Sequence, residues 1–199
     1  MEHVRSRREQ YVESTRAALL EAGRRHFTER GFADVSAEEV VRAAGLTRGA
    51  LYHHFAGKQG LFEAVFEEAE DRAAARVAAA IGGAGDDPWR RGVEGIRAFL
   101  EICSEPAHRQ IVLLQGPIAL GWQRWRELDQ RHLGTLLEDG LTALLGAAPA
   151  HPPRLTAAAL YGSLTELALS VADADDPPRA RDQAVHLMSA MLKGLRTFR

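Results

Sequence analysis

The stretch that decides the fold is residues 36–58, which reads SAEEVVRAAGLTRGALYHHFAGK. Ser36, followed three residues later by Glu39, forms a capping box, in which each side chain satisfies a free backbone amide at the start of a helix. Gly45 ends this short helix at a position where a positive φ is common, and Thr47 can cap a second helix. Two short helices joined by a tight turn indicate a helix-turn-helix.

One face of the second helix stays free for nucleic acid when the apolar residues of both helices point inward. The inward set is Val40, Val41, Ala44, Leu46, Leu51 and Phe55. The outward set, which contains our candidate DNA contacts, is Thr47, Arg48, Gly49, Tyr52 and His53. Because the N-terminal residues of a recognition helix enter the major groove first, we expect Arg48 to hydrogen-bond a guanine. Thr47 and Tyr52 suit phosphate oxygens.

Three neighbouring side chains are candidates with a second interpretation each. His54 is as well explained by support of the helix as by a phosphate contact. Ser36 is an N-cap first, and any DNA contact is a second use. Lys58 places a cation beside the free amides at a helix N-terminus, where phosphates bind.

Helical patterns continue on both sides of this motif. A basic arm at residues 5–8, which is either solvated or follows the DNA backbone, precedes a first helix that starts at Ser14 or Thr15 and ends at Gly31. The other predicted helices are 58–81, 89–104, 108–114, 118–145, 154–172 and 179–197, bounded by prolines and glycines. Alternating, strand-like runs are missing, so we expect an all-α protein.

Composition and charge narrow the class of protein. The chain is 46% hydrophobic and 26% charged with a net charge of −2, an ordinary balance for a soluble globular protein. Residues 1–58 carry 10 Lys and Arg against 8 Asp and Glu, and the remainder carries 15 against 19, an asymmetry that fits an N-terminal DNA-binding unit. The single cysteine, Cys103, favours a reducing, cytoplasmic location. We expect neither a signal peptide nor a membrane span.

The run from Leu19 through Phe66, LLEAGRRHFTERGFADVSAEEVVRAAGLTRGALYHHFAGKQGLFEAVF, resembles the DNA-binding domain of the TetR/AcrR (tetracycline-repressor-like) family. It covers about a quarter of the chain. The likeness rests on Phe27, Gly31, Phe32, Ala43, Ala44, Gly45, Gly49, Leu51, Tyr52, His54, Phe55, Lys58 and Leu61. It implies a homodimer, usually a repressor, whose C-terminal helices bind an inducer and form the dimer interface. It also implies DNA contacts from Thr47, Arg48, Tyr52, His53 and Lys58, with support from Thr15 and Ser36.

On this basis residues 1–58 form an arm and a helix-turn-helix DNA-binding domain, and residues 59–199 form a larger helical domain for ligand binding and dimerisation. Bulky residues concentrate in the middle helices. The candidate ligand contacts are Trp89, Phe99, Cys103, His108, Leu113, Trp122 and Trp125. Core packing explains each of them taken singly, whereas together they fit a mostly apolar pocket for an apolar or aromatic inducer.

The last two predicted helices carry apolar stripes that fit a dimer interface. The candidate interface residues are Ala158, Tyr161, Gly162, Thr165, Met188, Met191, Leu192 and Leu195. Paired with their two-fold copies, these helices would form a four-helix bundle. The alternative is that both helices only cover their own domain.

Two other classes of function remain as alternatives: a helical enzyme with an incidental helix-turn-helix, and a DNA-binding protein without a ligand. Against the first, the sequence lacks G-x-S-x-G, Walker, G-x-G-x-x-G and H-E-x-x-H motifs; against the second, it is acidic overall. Asp129 and His132 have no further His or Cys at ligand spacing, so we expect no metal. We also expect no catalytic residue and no cofactor. The expected partners are double-stranded operator DNA, a small-molecule inducer and a second copy of the chain, but no membrane.

Overall fold

The computed structural model describes residues 7–145 and 152–197, and within these ranges all regular structure is helical. The α-helices are α1 Arg7–Arg30, α2 Ala37–Ala43, α3 Arg48–Phe55, α4 Lys58–Gly83, α5 Pro88–Cys103, α6 Pro106–His108, α7 Gly116–Leu120, α8 Trp122–Asp129, α9 Thr135–Leu145, α10 Pro153–Ala172 and α11 Pro177–Thr197. Two π-helical segments, Arg109–Gln115 and Gln130–Gly134, connect α6 to α7 and α8 to α9. The prediction of an all-α fold is confirmed.

Helices α1 to α4 pack around an aromatic core. Phe27 of α1, Phe32 of the following loop and Phe62 of α4 lie with their ring centroids 5.2–5.9 Å apart. Leu51 and Phe55 bury one face of α3 in the same cluster. Burying aromatic side chains contributes strongly to stability, so this core fixes the angle of α3 and leaves its opposite face outward.

Helix α4 belongs to both parts of the molecule. Its first turns pack against α1 and α3, and its later turns pack against α5. The buried side chains change accordingly, from Leu61, Phe62 and Phe66 to the smaller Ala73 and Val77. Helices α10 and α11 pack on each other and on α5, which completes the larger C-terminal part.

Two predicted helices have different bounds in the structure. Helix α1 begins at Arg7, well before the predicted start at Ser14 or Thr15. The prediction missed the first turns because they are exposed and carry no apolar stripe that periodicity could detect. Part of the predicted basic arm is therefore helical, and Arg5 lies outside the described residues. The predicted helix 118–145 is interrupted at Gly121, whose φ of 78° cannot continue a right-handed helix.

The close approach of α3 to α4 generates a stability prediction at Gly60. A Cβ atom at this position would collide with the backbone carbonyl oxygen of Phe55. Gly82, in the same helix, has open space around its Cβ position. We expect Gly60→Ala to lower the free energy of unfolding by about 1–3 kcal/mol through overpacking. The matched Gly82→Ala should raise it by up to about 1 kcal/mol through helix propensity.

Urea unfolding followed by circular dichroism measures both values. Equal stabilities of the two variants would contradict the tight junction between α3 and α4.

Candidate nucleic-acid interface and ligand cavity

The capping box at the start of α2 and the turn between α2 and α3 are both formed as the sequence predicted. The Glu39 backbone N–H donates to Ser36 Oγ at 3.2 Å, and the Ser36 N–H donates to Glu39 Oε2 at 2.8 Å. Arg30 and the Ser36 amide bond the Glu39 carboxylate and lower its pKa to about 2. Gly45 has a φ of 66°, and the Leu46 N–H donates to Val41 O at 2.8 Å. The predicted capping box and glycine turn are confirmed.

Helix α3 presents a polar face to solvent. Thr47 caps it by accepting a hydrogen bond from the Ala50 N–H at 3.3 Å. The exposed residues on this face are Thr47, Arg48, Gly49, Tyr52 and His53. His54 is half-buried, and its ring lies between those of His53 and Phe55, at 5.1 and 6.2 Å. The geometry therefore brings together the five outward residues predicted from the sequence.

Arg48 is held by two neighbours on this surface. Its guanidinium lies 2.8 Å from Glu38 Oε1, and its Cζ lies 5.6 Å from the centroid of the Tyr52 ring. The Glu38 carboxylate and the Tyr52 hydroxyl raise the pKa of Arg48, the hydroxyl more strongly. Because both partners of the ion pair are exposed, the pair adds little stability, and Arg48 can exchange Glu38 for another acceptor at small cost.

Two predicted DNA contacts are engaged in the protein's own packing. The Lys58 Nζ donates to Phe32 O and Val35 O, both at 2.8 Å, and lies 4.1 Å from the centroid of the Phe32 ring. Lys58 thus ties the loop before α2 to α4, and in this structure its ammonium does not point outward. Thr15 is buried, because α1 extends past it and turns this position toward the core.

One cation beside α3 was missed by the sequence analysis. The Arg16 Cζ lies 5.1 Å from the centroid of the Phe55 ring, and Arg16 itself is exposed on α1. Nothing in the local pattern marked it, since its neighbourhood to α3 arises only from the packing of α1.

An apolar cavity of about 80 Å³ lies in the C-terminal part. Its walls come from α4, α5, α9, α10 and α11 and include Val77, Ile96, Phe99, Leu137, Tyr161 and Leu192. Phe99 is the one predicted ligand contact among the lining residues. Ligand pockets for drug-sized molecules span roughly 300–1,000 Å³, so the cavity must widen before it takes such a molecule.

The other predicted ligand contacts, Trp89, Cys103, His108, Leu113, Trp122 and Trp125, do not line this cavity. The Trp125 indole N–H donates to Val112 O at 3.0 Å, and its ring packs beside Gly116. Trp122 follows the break at Gly121, and 61% of it is exposed. Cys103 is buried, which raises the pKa of its thiol. The ligand location predicted near Trp122 and Trp125 is thus separate from this cavity, because Trp125 packs in the core and Trp122 lies at the surface.

The predicted dimer residues divide between the two sides of α10 and α11. Met188 and Leu192 are buried within the chain, and Tyr161 and Leu192 line the cavity. Ala158, Gly162 and Met191 are exposed, whereas Tyr161, Thr165 and Leu195 are half-buried. The stripe found in the sequence therefore includes the inward face of these helices, because apolar periodicity does not distinguish a core from an interface.

Three buried polar side chains, Glu70, His108 and Asp129, lie with the half-buried Tyr161 next to the cavity. Glu70 is fully buried, and neither of its carboxylate oxygens has a hydrogen-bond partner among the described residues. The Tyr161 hydroxyl donates to Asp129 Oδ1 at 2.5 Å, and His108 Nε2 lies 3.7 Å from Glu70 Oε1. Burial raises the pKa of Glu70 well above its usual range and that of Asp129 to about 6, and lowers the pKa of His108 to about 4. Burial thus favours the neutral form of all three groups.

The side chain of Gln115 joins the C-terminal part to the loop before α2. The Phe32 N–H donates to Gln115 Oε1 at 3.0 Å, and the Gln115 amide lies against Gly31. Gln115 ends the π-helical segment that begins beside His108. This segment is therefore a continuous connection from the buried polar cluster to the helix-turn-helix unit.

Comparison with known proteins agrees with this architecture. Residues 19–65 match the model described as "Bacterial regulatory proteins, tetR family", and residues 89–195 match that of the "Tetracyclin repressor-like, C-terminal domain". A solved TetR-family transcriptional regulator from Pectobacterium atrosepticum is 37% identical, with a TM-score of 0.75 over 96% of this chain and 97% of that one. The structure of RolR in complex with resorcinol shares the fold, at 21% identity and a TM-score of 0.66, over 96% of each chain.

Curated relatives match over about a third of the chain. The transcriptional regulator UidR of Escherichia coli is 35% identical over 72 residues, which are 36% of this chain and 37% of UidR. The regulator AcrR of Shigella flexneri is 39% identical over 61 residues, 31% of this chain and 28% of AcrR. The family resemblance read from the sequence is confirmed. The chain belongs to the TetR family of bacterial regulatory proteins.

Proposed function

We propose that this protein is a homodimeric transcriptional repressor that binds a palindromic operator through α3 and releases it when a small molecule binds in the C-terminal part. The observation that carries the proposal is the exposed polar face of α3, which is held rigidly by the buried Leu51 and Phe55. In this scheme residues 1–58 read DNA, and residues 59–199 bind the ligand and the second subunit.

DNA reading begins with an exchange of partners at Arg48. Without DNA its guanidinium is paired with Glu38, and in the major groove a guanine offers two acceptors in a plane that suits the guanidinium. Thr47 and Tyr52 flank Arg48 on the exposed face of α3, where their hydroxyl groups can hydrogen-bond phosphate oxygens. Arg16, at the side of α3, adds a second cation for the DNA backbone. Lys58 acts indirectly, by holding the loop that positions α2.

Dimerisation through α10 and α11 rests on the apolar surface that these helices leave uncovered. An 18-residue window within Arg154–Ala172 has a mean hydropathy of 1.3, and only 33% of that window is buried inside the chain. A single helix that is long and apolar enough to cross a membrane is weak evidence for a span, and a partner helix covers such a face equally well. Leu187 and Met191 of α11 are exposed, and the exposed Ala158 and Gly162 of α10 permit close helix approach.

Release by a ligand follows from the small volume of the cavity. A ligand larger than about 80 Å³ must push apart α4, α5 and α9. Two recognition helices in a dimer fit DNA only when they lie roughly 34–36 Å apart. A tilt of α4 changes that separation, so ligand and operator favour different conformations and weaken each other's binding.

The first prediction from this proposal concerns base reading by Arg48. On a duplex selected from random sequences, Arg48→Ala should lose about 1–3 kcal/mol of binding free energy and relax base preference at one position. The matched control is Arg72→Ala, an exposed arginine on α4 whose partner is Glu68. Fluorescence anisotropy on selected and scrambled duplexes measures both. Equal losses on the two duplexes would show that Arg48 contacts only the backbone.

The second prediction concerns the dimer. Leu187→Glu and Met191→Glu should shift the protein toward monomer, because each would place a carboxylate inside the proposed interface without a partner. Ile118→Glu, at an exposed apolar residue of α7, is the matched control and should leave the mass unchanged. Sedimentation velocity at micromolar concentration reads the mass, and circular dichroism checks the fold. A monomeric wild type would contradict the proposed interface.

A further inference from the structure

The polar cluster of the buried Glu70, His108 and Asp129 and the half-buried Tyr161 has too few hydrogen-bond donors for its acceptors. Asp129 accepts one hydrogen bond, from the Tyr161 hydroxyl, and Glu70 accepts none within the described part of the chain. An unpaired buried carboxyl group costs about as much as a lost hydrogen bond when neutral and far more when ionised. Such a group calls for a bound partner.

The charged neighbours of the cluster do not supply that partner. The titratable groups near Glu70 and Asp129 on the surrounding helices include Asp71 of α4, Cys103 of α5, His108 of α6, Arg126 of α8 and Tyr161 of α10. The charge of Arg126 lowers the pKa of Asp129, but by less than burial raises it. His108 is neutral near pH 7, since burial lowers its pKa to about 4. Each acid therefore lies where an added cation would be favourable.

Neither acid lines the cavity, but Tyr161 connects the acids to it. The side chain of Tyr161 lines the cavity and also bonds Asp129, so the polar cluster adjoins the apolar space directly. Along α4, Glu70 precedes the lining residue Val77 by seven positions, roughly 10 Å of helix, on the side toward the DNA-binding unit. An apolar space that adjoins two carboxyl groups through Tyr161 is complementary to an amphiphile.

We propose that the ligand of this protein is an amphiphilic amine, whose apolar body occupies the cavity and whose ammonium group binds Glu70 and Asp129. This inference rests on the proposed ligand-responsive function and specifies its ligand. An ammonium group offers three donors and a positive charge, which satisfies both acids at once. A carboxylate or phosphate ligand would be repelled, and an alcohol would supply one donor without charge.

Binding of the ammonium form releases a proton from Glu70 to solvent, and the number of protons released can be measured. In the free protein, burial and the nearby Asp129 and Asp71 raise the pKa of Glu70 and so favour the form that carries a proton. When the ammonium ion arrives, the Glu70 carboxyl loses this proton to solvent and remains as a carboxylate paired with the cation. Up to one proton is released for each amine bound, and the affinity rises with pH until Glu70 is ionised in the free protein.

The cluster also places the ligand where it can affect DNA binding. His108, 3.7 Å from Glu70, immediately precedes the π-helical segment whose last residue, Gln115, accepts the hydrogen bond from Phe32. An ammonium ion beside Glu70 displaces His108, and the segment carries that displacement to the loop before α2.

The test is calorimetry of the full chain with n-alkylamines from butyl to octyl and with the alcohols of equal length. We expect the amines to bind at least about tenfold more tightly than the alcohols, as hydrogen bonds to charged groups imply. Each added methylene should improve affinity by about fourfold until the cavity is full. Repeating the titrations in two buffers with different ionisation heats should reveal proton release with amines only.

Two variants with opposite expected effects on amine affinity test the roles of Glu70 and Asp129. Glu70→Gln should remove the proton release and weaken amine binding by about tenfold or more, with alcohol binding unchanged. Tyr161→Phe frees Asp129 from its hydroxyl partner, so it should strengthen amine binding, and it decides the matter if Glu70→Gln fails to fold. Glu68→Gln, an exposed neighbour on α4, is the matched control. Equal affinities for amine and alcohol, or an unchanged proton release in Glu70→Gln, would overturn the proposal.

Operator release separates this inference from the proposed function. Amines that bind with proton release but leave operator affinity unchanged would uphold the site and contradict ligand-controlled DNA binding. A neutral compound that releases the operator, with amines that do not bind, would uphold regulation and overturn the amine site.

Discussion

The apolar face of α4 packs against α1 and α3 at one end and forms part of the cavity wall at the other. The position of the recognition unit, α1 to α3, relative to the cavity therefore depends on the packing of this helix. Phe62 and Phe66 bury the first part of this face beside α1, and Val77 buries the later part against α5. The helix has 26 residues, so this rod is roughly 39 Å long. Because close-packed interiors transmit displacement rather than absorb it, a change at the cavity must move the recognition unit or break this packing.

The polar groups of the molecule fall into two populations with different physical roles. Those on α3 are exposed and weakly paired, as Arg48 with Glu38 illustrates, and can exchange partners with DNA at little cost. Those between the cavity and the π-helical segment are buried and incompletely paired, as Glu70 illustrates. Strongly perturbed buried acids are typical of functional sites, and here they lie between the space for a ligand and the contact of Gln115 with Phe32.

Features that depend only on neighbouring residues could be predicted from the sequence, whereas features that depend on long-range packing could not. The capping box at Ser36 and the turn at Gly45 depend on neighbouring residues, so the helix-turn-helix and its outward face followed from the sequence alone. The role of Lys58 did not, because its acceptors are carbonyl groups more than twenty positions away. The position of the cavity did not follow either, because bulky side chains indicate a core and only packing shows which part of it stays empty. The sequence does not distinguish Glu70 from the other acidic residues of α4, because its burial without a hydrogen-bond partner among the described residues arises only from packing.

Selection of DNA from a random duplex library is the most direct test of a dimer that reads DNA through α3. The account predicts enrichment of a palindrome whose half-sites are centred about 10 base pairs, or a multiple of that spacing, apart, bound by a dimer. Retention of random duplexes without enrichment, or enrichment of a single asymmetric half-site bound by a monomer, would contradict it.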